Sequence, residues 1–582
     1  MKPFEWVWQY IKKYKFRFIS GMAISFITSG LSLVNPYISG LLVGAIQNNT
    51  WRGVLLTYIC LLAGITLFRT ILRYCMLLIF ESTSQRITLH LRQDIYAWVH
   101  RQNYGFFDTN RVGDIMARMT GDLDAVRHFT AFVIYAVFEN VFIFIAAIVL
   151  MFTVSWQLTL MMLAAAPLIL ISTVRQSREV KPAFFNIREH FSKLNSVCEE
   201  NIGGNRVVKA FTKENYEIGK FTADNQGYYD AQVKASDIWR KYLPVLDFCA
   251  NLLNVLLLLG GGILVILGKL QLWQMVTLNG YLWAVNNPLR MSGWILNDIQ
   301  NFFASIDKIT AMLQKRIYIL NPDNPANTGR LNGSVEFKDV SFGYDRHNPN
   351  ALVLKNISFT APAGSTVGIV GATGSGKTTL VNLIGRFYDV TGGEVLIDNV
   401  NVKEYDLRDL RAGIASAAQD VFLFSDTVEG NLAYGVPDAP MEELIGAAAA
   451  ADADGFIREL ENGYDTIVGE RGVGLSGGQK QRLSLARALA VNPSILILDD
   501  TTSAVDMETE HEIQQALKKY RNRTTFIIAH RISSVKPADQ ILVMDNGRIV
   551  ERGTHDELVA AGGYYYSLFI SQYGDYAKER AG

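Results

Sequence analysis

Leu475-Ser476-Gly477-Gly478-Gln479 precedes a short apolar run, Ile495-Leu-Ile-Leu498, that ends in two carboxylates, Asp499 and Asp500. Upstream, Gly371-Ala-Thr373-Gly374-Ser375-Gly376-Lys377-Thr378 fits the phosphate-binding P-loop pattern residue for residue. Thr366-Val-Gly-Ile-Val370 reads as the buried strand that feeds this loop. Its glycines let backbone N–H groups close around phosphates, and the helix that follows turns its positive end toward them. A P-loop alone speaks only for a nucleotide phosphate. The Ser476 hydroxyl, Gly478 amide and Gln479 side chain, at the start of a second helix, supply a further set of donors aimed at an anion.

Outside this half the chain changes character. At 582 residues it is too long for one core, and its zero net charge speaks against nucleic acid as a partner. Cys60, Cys75, Cys198 and Cys249 show neither metal-ligand spacing nor a disulfide framework. The first residues are aromatic and basic without a small-residue cleavage site, so no cleavable signal is expected there.

Six apolar stretches reach the roughly 20 residues needed to span a bilayer. They lie at about 18–40, 54–80, 129–156, 158–174, 243–268 and 275–295. Basic residues crowd the segment before the first stretch and the loops after the second and fourth, while the opposite turns hold little more than Arg52 and Lys269. By the positive-inside rule both termini are expected in the cytoplasm of a multi-pass protein of the cell membrane. Both long inner loops are rich in helix formers, which suggests spans that continue as helices beyond the bilayer. Polar residues inside spans are costly and mark function by default: Arg69, Arg73, Glu139, Asn140, Asp247, Asn251 and Asn254. Glu139 or Asp247 is expected to contact a substrate; the alternatives are an internal ion pair, such as Arg69 with one of these carboxylates, or a carboxylate lying nearer the interface. Asn321-Pro-Asp-Asn-Pro325 opens a polar linker. The division expected is a transmembrane domain at 1–320, a linker at 321–333 and a nucleotide-binding domain at 334–582.

Together these motifs resemble the ABC exporters, in which six spans are fused to an ATP-binding cassette. The fold expected is therefore a six-helix transmembrane bundle with long helical extensions, followed by an α/β P-loop domain. The resemblance implies ATP and Mg²⁺ as ligands. It places Tyr344 on the adenine ring, Gly371, Thr373, Gly374, Ser375, Gly376, Lys377, Thr378 and Thr379 around the phosphates, and Thr378, Gln419 and Asp499 on the Mg²⁺ side. His530 would orient water toward the γ-phosphate, and Ser503-Ala-Val-Asp506 would cross between two nucleotide domains. Ser476, Gly478 and Gln479 would close over ATP held by a second subunit, since one domain's own P-loop lies too far away. Phe106-Phe107-Asp108 and the segment from Glu200 to Phe211 resemble the coupling-helix tips of the two inner loops.

One letter departs from the family pattern. Asp500 stands where a glutamate usually polarises the attacking water. One methylene less pulls the carboxylate back by roughly 1 Å, a displacement that can cost about 10²-fold in rate. The expectation is a half-transporter whose own site is weak, paired with a different chain that carries glutamate after its own metal-side aspartate. A homodimer, or an ATP-gated channel or regulatory subunit, is the alternative. Small amphiphilic drugs or lipids are the expected cargo, with membrane lipids as surroundings.

Overall fold

The computed structural model describes residues 3–163, 166–326, 329–345, 348, 351–501, 507–519 and 523–574. The crossing segment at 503–506, linker residues 327 and 328, and residues 164 and 165 of the fourth predicted span lie outside them. The chain divides into two units, one of Met1–His100 and Val112–Lys315, the other of Arg101–Arg111 and Arg316–Gly582.

The first unit is helical, as an apolar chain must be where no water can satisfy its backbone. Among the described residues, Lys15–Gln47, Arg52–His100 and Val112–Val154 are long and apolar enough to cross a membrane. The last is a composite, because π-turns at Arg118–Asp122 and Phe129–Val133 precede the regular helix Ile134–Val154. Trp156–Leu163 and Ala166–Gly203 carry the described parts of the fourth predicted span, Glu214–Ile266 the fifth and Leu272–Leu313 the sixth. At 50 residues, Trp51–His100 far outruns the roughly 20 that a bilayer requires. Close packing rests on small residues. A Cβ on Gly280 would stand 2.6 Å from that of Pro36, and one on Gly40 would meet Thr277 Oγ1 at 1.9 Å. Those contacts hold Lys15–Gln47 against Leu272–Leu313. Leu33, Ala147, Leu158, Leu257, Leu278 and Tyr281 fill the core beside them.

Pro3–Lys13, to which the sequence reading gave no element, is an amphipathic helix. It buries Trp6, Val7, Tyr10 and Ile11, and Tyr10 donates to Asp94 Oδ2 at 2.5 Å. Asp247 makes an ion pair with Arg290 at 3.7 Å, a partner inside the sixth predicted span that the sequence reading passed over.

The second unit is α/β. A four-stranded antiparallel sheet runs β2 (Leu354–Ala361), β1 (Val335–Phe342), β4 (Gly392–Ile397), β5 (Val400–Asn401). A six-stranded sheet runs β12 (Arg548–Gly553), β11 (Gln540–Asp545), β3 (Thr366–Gly371), β10 (Thr524–Ile528), β9 (Ile495–Asp499), β6 (Ile414–Ala417). All but β12 are parallel. Short strands β7 (Asp426–Thr427) and β8 (Ile467–Val468) pair with each other. The all-buried run of β9 is what a central parallel strand covered on both faces requires. The tip of the first inner loop, Tyr104–Thr109, belongs to this unit.

Candidate functional site

Strand order builds the site. Because β3, β10, β9 and β6 are parallel neighbours, their carboxyl ends line one edge, where open α/β sheets bind ligands. The P-loop leaves β3, His530 follows β10, Asp499 and Asp500 end and follow β9, and Gln419 stands exposed just past β6. Residues spread over more than half of the domain thus converge through the sheet alone.

The loop has the shape its glycines allow. Gly371 adopts φ 150°, and a Cβ there would strike Met544 O at 2.1 Å. Gly374 adopts φ 81° with open space where a Cβ would stand. Gly376 precedes the helix Lys377–Ile384 in the left-handed region. Ser375 is buried, and its Oγ has no hydrogen-bond partner among the described residues. Lys377 donates to Gly371 O and Ala372 O at 2.9 and 2.8 Å. Burial pushes its ammonium below the ordinary lysine range, against the pull of Asp499 and Asp500. A cradle with an orphaned hydroxyl and a desolvated cation fits a polyanion, whose phosphates would satisfy both.

Thr378 donates to Asp499 Oδ2 at 2.8 Å. Burial raises the Asp499 carboxyl, the Thr378 hydrogen bond opposes this, and neighbouring Asp500 adds to it. Among the described residues no cluster of three His, Cys, Asp or Glu could cage a metal. A hydroxyl beside one carboxylate is instead the donor set of a hard cation that keeps waters and substrate oxygens, as Mg²⁺ does. Asp500 sits at φ 49°, a left-handed conformation that aspartate tolerates better than most residues, and its N–H donates to Ile528 O at 2.9 Å.

Tyr344 is half exposed, shares a 2.9 Å hydrogen bond with Thr379 Oγ1, and meets Tyr388 edge-on at 5.2 Å. Thr373 is an exposed member of the loop. Ser476 caps the helix Gly477–Ala490 in a reciprocal box: its Oγ accepts from Gln479 N, and the Gln479 side chain accepts from Ser476 N. Among the described residues no hydrogen bond joins this turn to the P-loop, so the structure does not gather all the sequence-selected donors into one place.

Several contacts escaped the sequence reading. Tyr388 donates to Asp108 Oδ2 at 2.7 Å, and Tyr104 stacks on Phe387 at 4.4 Å, tying the loop tip to the segment that follows the P-loop helix. Burial and the Asp108 carboxylate hold the Tyr388 phenol well above its ordinary range. Gln572 accepts from Ile532 N and donates to His530 O, bracing the switch turn from the C-terminal helix. The Phe106 and Asp108 tip was visible; its docking partner, far along the chain, was not.

A P-loop domain of this topology behind a helical transmembrane domain defines an ATP-driven membrane transporter. Two family models match the chain: the ABC transporter transmembrane region over residues 18–289, and the ABC transporter family over residues 354–503. The chain is similar to the uncharacterized ABC transporter ATP-binding protein YknU of Bacillus subtilis (strain 168), with 42% identity over 83% of each chain. It is also similar to the multidrug resistance-like ATP-binding protein MdlA of Escherichia coli (strain K12), with 34% identity over 97% of this chain and 95% of that one. The structure of a bacterial Atm1-family ABC exporter with ATP bound matches at TM-score 0.80 and 29% identity, covering 96% of this chain and 98% of that one. The chain belongs to the ABC transporter family and is a half-transporter of the exporter type, with the ATPase domain fused behind the membrane domain.

Proposed function

We propose that this chain exports amphiphilic drugs or lipids as one subunit of a heterodimer whose own ATP site is weak. The observation that carries the reading is Asp500 in place of glutamate beside an unaltered Ser476, Gly478 and Gln479. The chain then lends a full set of γ-phosphate donors to its partner's P-loop, while its own P-loop binds ATP that is turned over slowly. Lys377 and the loop amides would hold the β- and γ-phosphates, and Tyr344 would stack on the adenine. Thr378 and Asp499, with Gln419 nearby, would hold Mg²⁺, which when bound neutralises phosphate charge. His530 would hydrogen-bond the γ-phosphate. ABC half-transporters dimerise as a class; the partner proposed here is a different chain bearing glutamate after its own metal-side aspartate.

The orientation proposed, both termini cytoplasmic, follows from the basic inner loops and puts the ATP site in the compartment that holds ATP. The loop tips support a route for coupling. The first reaches the nucleotide site through Asp108, Tyr388, Tyr344 and Thr379. The second, Asn205–Ala210, buries no side chain, and Ile202, Val207 and Phe211 around it are exposed. We assign that apolar tip to the partner's nucleotide domain. Co-purification decides the matter. Tagged chain expressed with a glutamate-bearing half-transporter from the same cell should recover a one-to-one complex that accumulates dye in inside-out vesicles when ATP is added. A dimer of this chain alone that transports at full rate contradicts the reading.

A further inference from the structure

Between Lys15–Gln47, Trp51–His100, the composite helix Val112–Val154 and Leu272–Leu313 lies a cavity of about 410 Å³, bordered by Arg69, Arg73, Phe132, Tyr135, Glu139 and Trp283. A second cavity, about 420 Å³, shares Ser32, Arg69 and Trp283 with the first. The two meet at Arg69.

The charges here do not cancel. Arg69 and Arg73 stand four residues apart on one helix, so they share a face, and both lie within electrostatic reach of the single carboxylate of Glu139. Among the described residues none of the three makes a hydrogen bond or an ion pair closer than 4.0 Å. Asp247 differs, since Arg290 pairs with it. Two guanidiniums facing one carboxylate leave one positive charge in a span, where an uncompensated charge is costly and turns toward a cavity or a ligand. A guanidinium fork matches a carboxylate or a phosphate. Phe132, Tyr135 and Trp283 present apolar surface beside it. Asn35, on the second cavity, has a buried Oδ1 with no hydrogen-bond partner among the described residues, an acceptor suited to a hydroxyl or amide near a headgroup.

We propose that Arg69 and Arg73 form the headgroup site for an amphiphile carrying one anionic group, a carboxylate or a phosphate, and that Glu139 limits the site to a single negative charge. The inference rests on the proposed export of amphiphiles and deepens it by naming the class of cargo. Neutral and cationic amphiphiles bind worse because they leave the excess positive charge unmatched.

Fluorescence titration of the full-length dimer in detergent, with 11-(dansylamino)undecanoic acid and its methyl ester as probes, tests this. The acid should bind about tenfold or more tightly than the ester. Arg69→Gln and Arg73→Gln should each erase most of that preference. Glu139→Gln should do the reverse and tighten the acid about threefold or more, a gain that a merely structural ion trio would not give. Dodecyl phosphate should displace the probe, whereas inorganic phosphate should not. Equal affinity for acid and ester, or displacement by inorganic phosphate alone, overturns the proposal. If the glutamine variants of the arginines do not elute as a single species, Arg73→Lys and Glu139→Gln carry the test; an unchanged acid preference in both overturns it. Transport of a neutral dye by a dimer blind to probe charge would remove this site and leave export standing. Charge-selective binding without ATP-driven transport of any amphiphile would leave the site and remove the export.

Discussion

The carboxyl edge of the six-stranded sheet and the amino end of the helix Gly477–Ala490 both carry donors proposed for phosphate, but they hold them differently. At the sheet edge the groups are buried and incompletely satisfied: Ser375 Oγ has no partner among the described residues, burial holds Lys377 below its ordinary range, and burial holds Asp499 above its own. At the helix the Ser476 Oγ and the Gln479 side-chain oxygen each accept from the other residue's backbone N–H in a capping box. The first is a receptor waiting for charge. The second is a capped turn with no hydrogen bond to the P-loop among the described residues, which the proposed dimer would set against a phosphate held by another subunit. Each arrangement makes chemical sense on its own, and the proposed dimer brings them together.

The largest expected effect lies on the second surface. Ser476→Ala in a co-expressed heterodimer should lower ATPase activity by about 10²-fold or more, because it strips a donor from the competent site. Loss of the cap alone costs about 1 kcal/mol of helix stability, so melting should change little. A rate that follows only the melting temperature would reduce Ser476 to a structural cap.

Next comes the first surface. Lys377→Ala should weaken nucleotide binding at this chain's own site by tenfold or more, since a charge-assisted hydrogen bond contributes about 1.5–3 kcal/mol. Photolabelling with an azido-ATP reads this out per subunit. Undiminished labelling of this chain would remove Lys377 from the phosphate site.

The loop tips extend the same contrast. Phe106 is 5% exposed and Phe211 71%. Phe106→Ala should destabilise the protein by about 3 kcal/mol or more through the cavity it leaves. Phe211→Ala should leave stability within about 0.5 kcal/mol, yet lower transport more than ATP binding. Normal transport with Phe211→Ala would show that this tip does not transmit.

Legibility in the sequence followed the range of the physics. The P-loop, the buried strand β9 and the glycine positions obey local rules of backbone and burial, and they could be read directly. The apolar stretches were readable for the same reason, because a bilayer imposes length. The helix Pro3–Lys13 was obscured by its mixture of aromatic and basic residues, which reads equally well as a charged lead-in to the first span. Tyr388 was hidden because its partners, Asp108 and Tyr344, come from distant segments that only the tertiary fold brings together. Arg290 was hidden inside an apolar stretch whose average hydropathy masked it. The capping box of Ser476 and Gln479 follows the Ser-x-x-Gln spacing, a local rule of helix ends.

The smallest expected effect concerns Asp500, and it tests the central claim most directly. Steady-state ATPase should be measured for the purified chain alone, for the chain with its glutamate-bearing partner, and for both with Asp500→Asn. The account predicts little activity from the chain alone, restored turnover in the mixed dimer, and a change of less than about threefold when Asp500→Asn is introduced there, because a carboxylate displaced by roughly 1 Å contributes little. Robust turnover by the chain alone that Asp500→Asn abolishes would contradict it and make Asp500 an ordinary catalytic base in a homodimer.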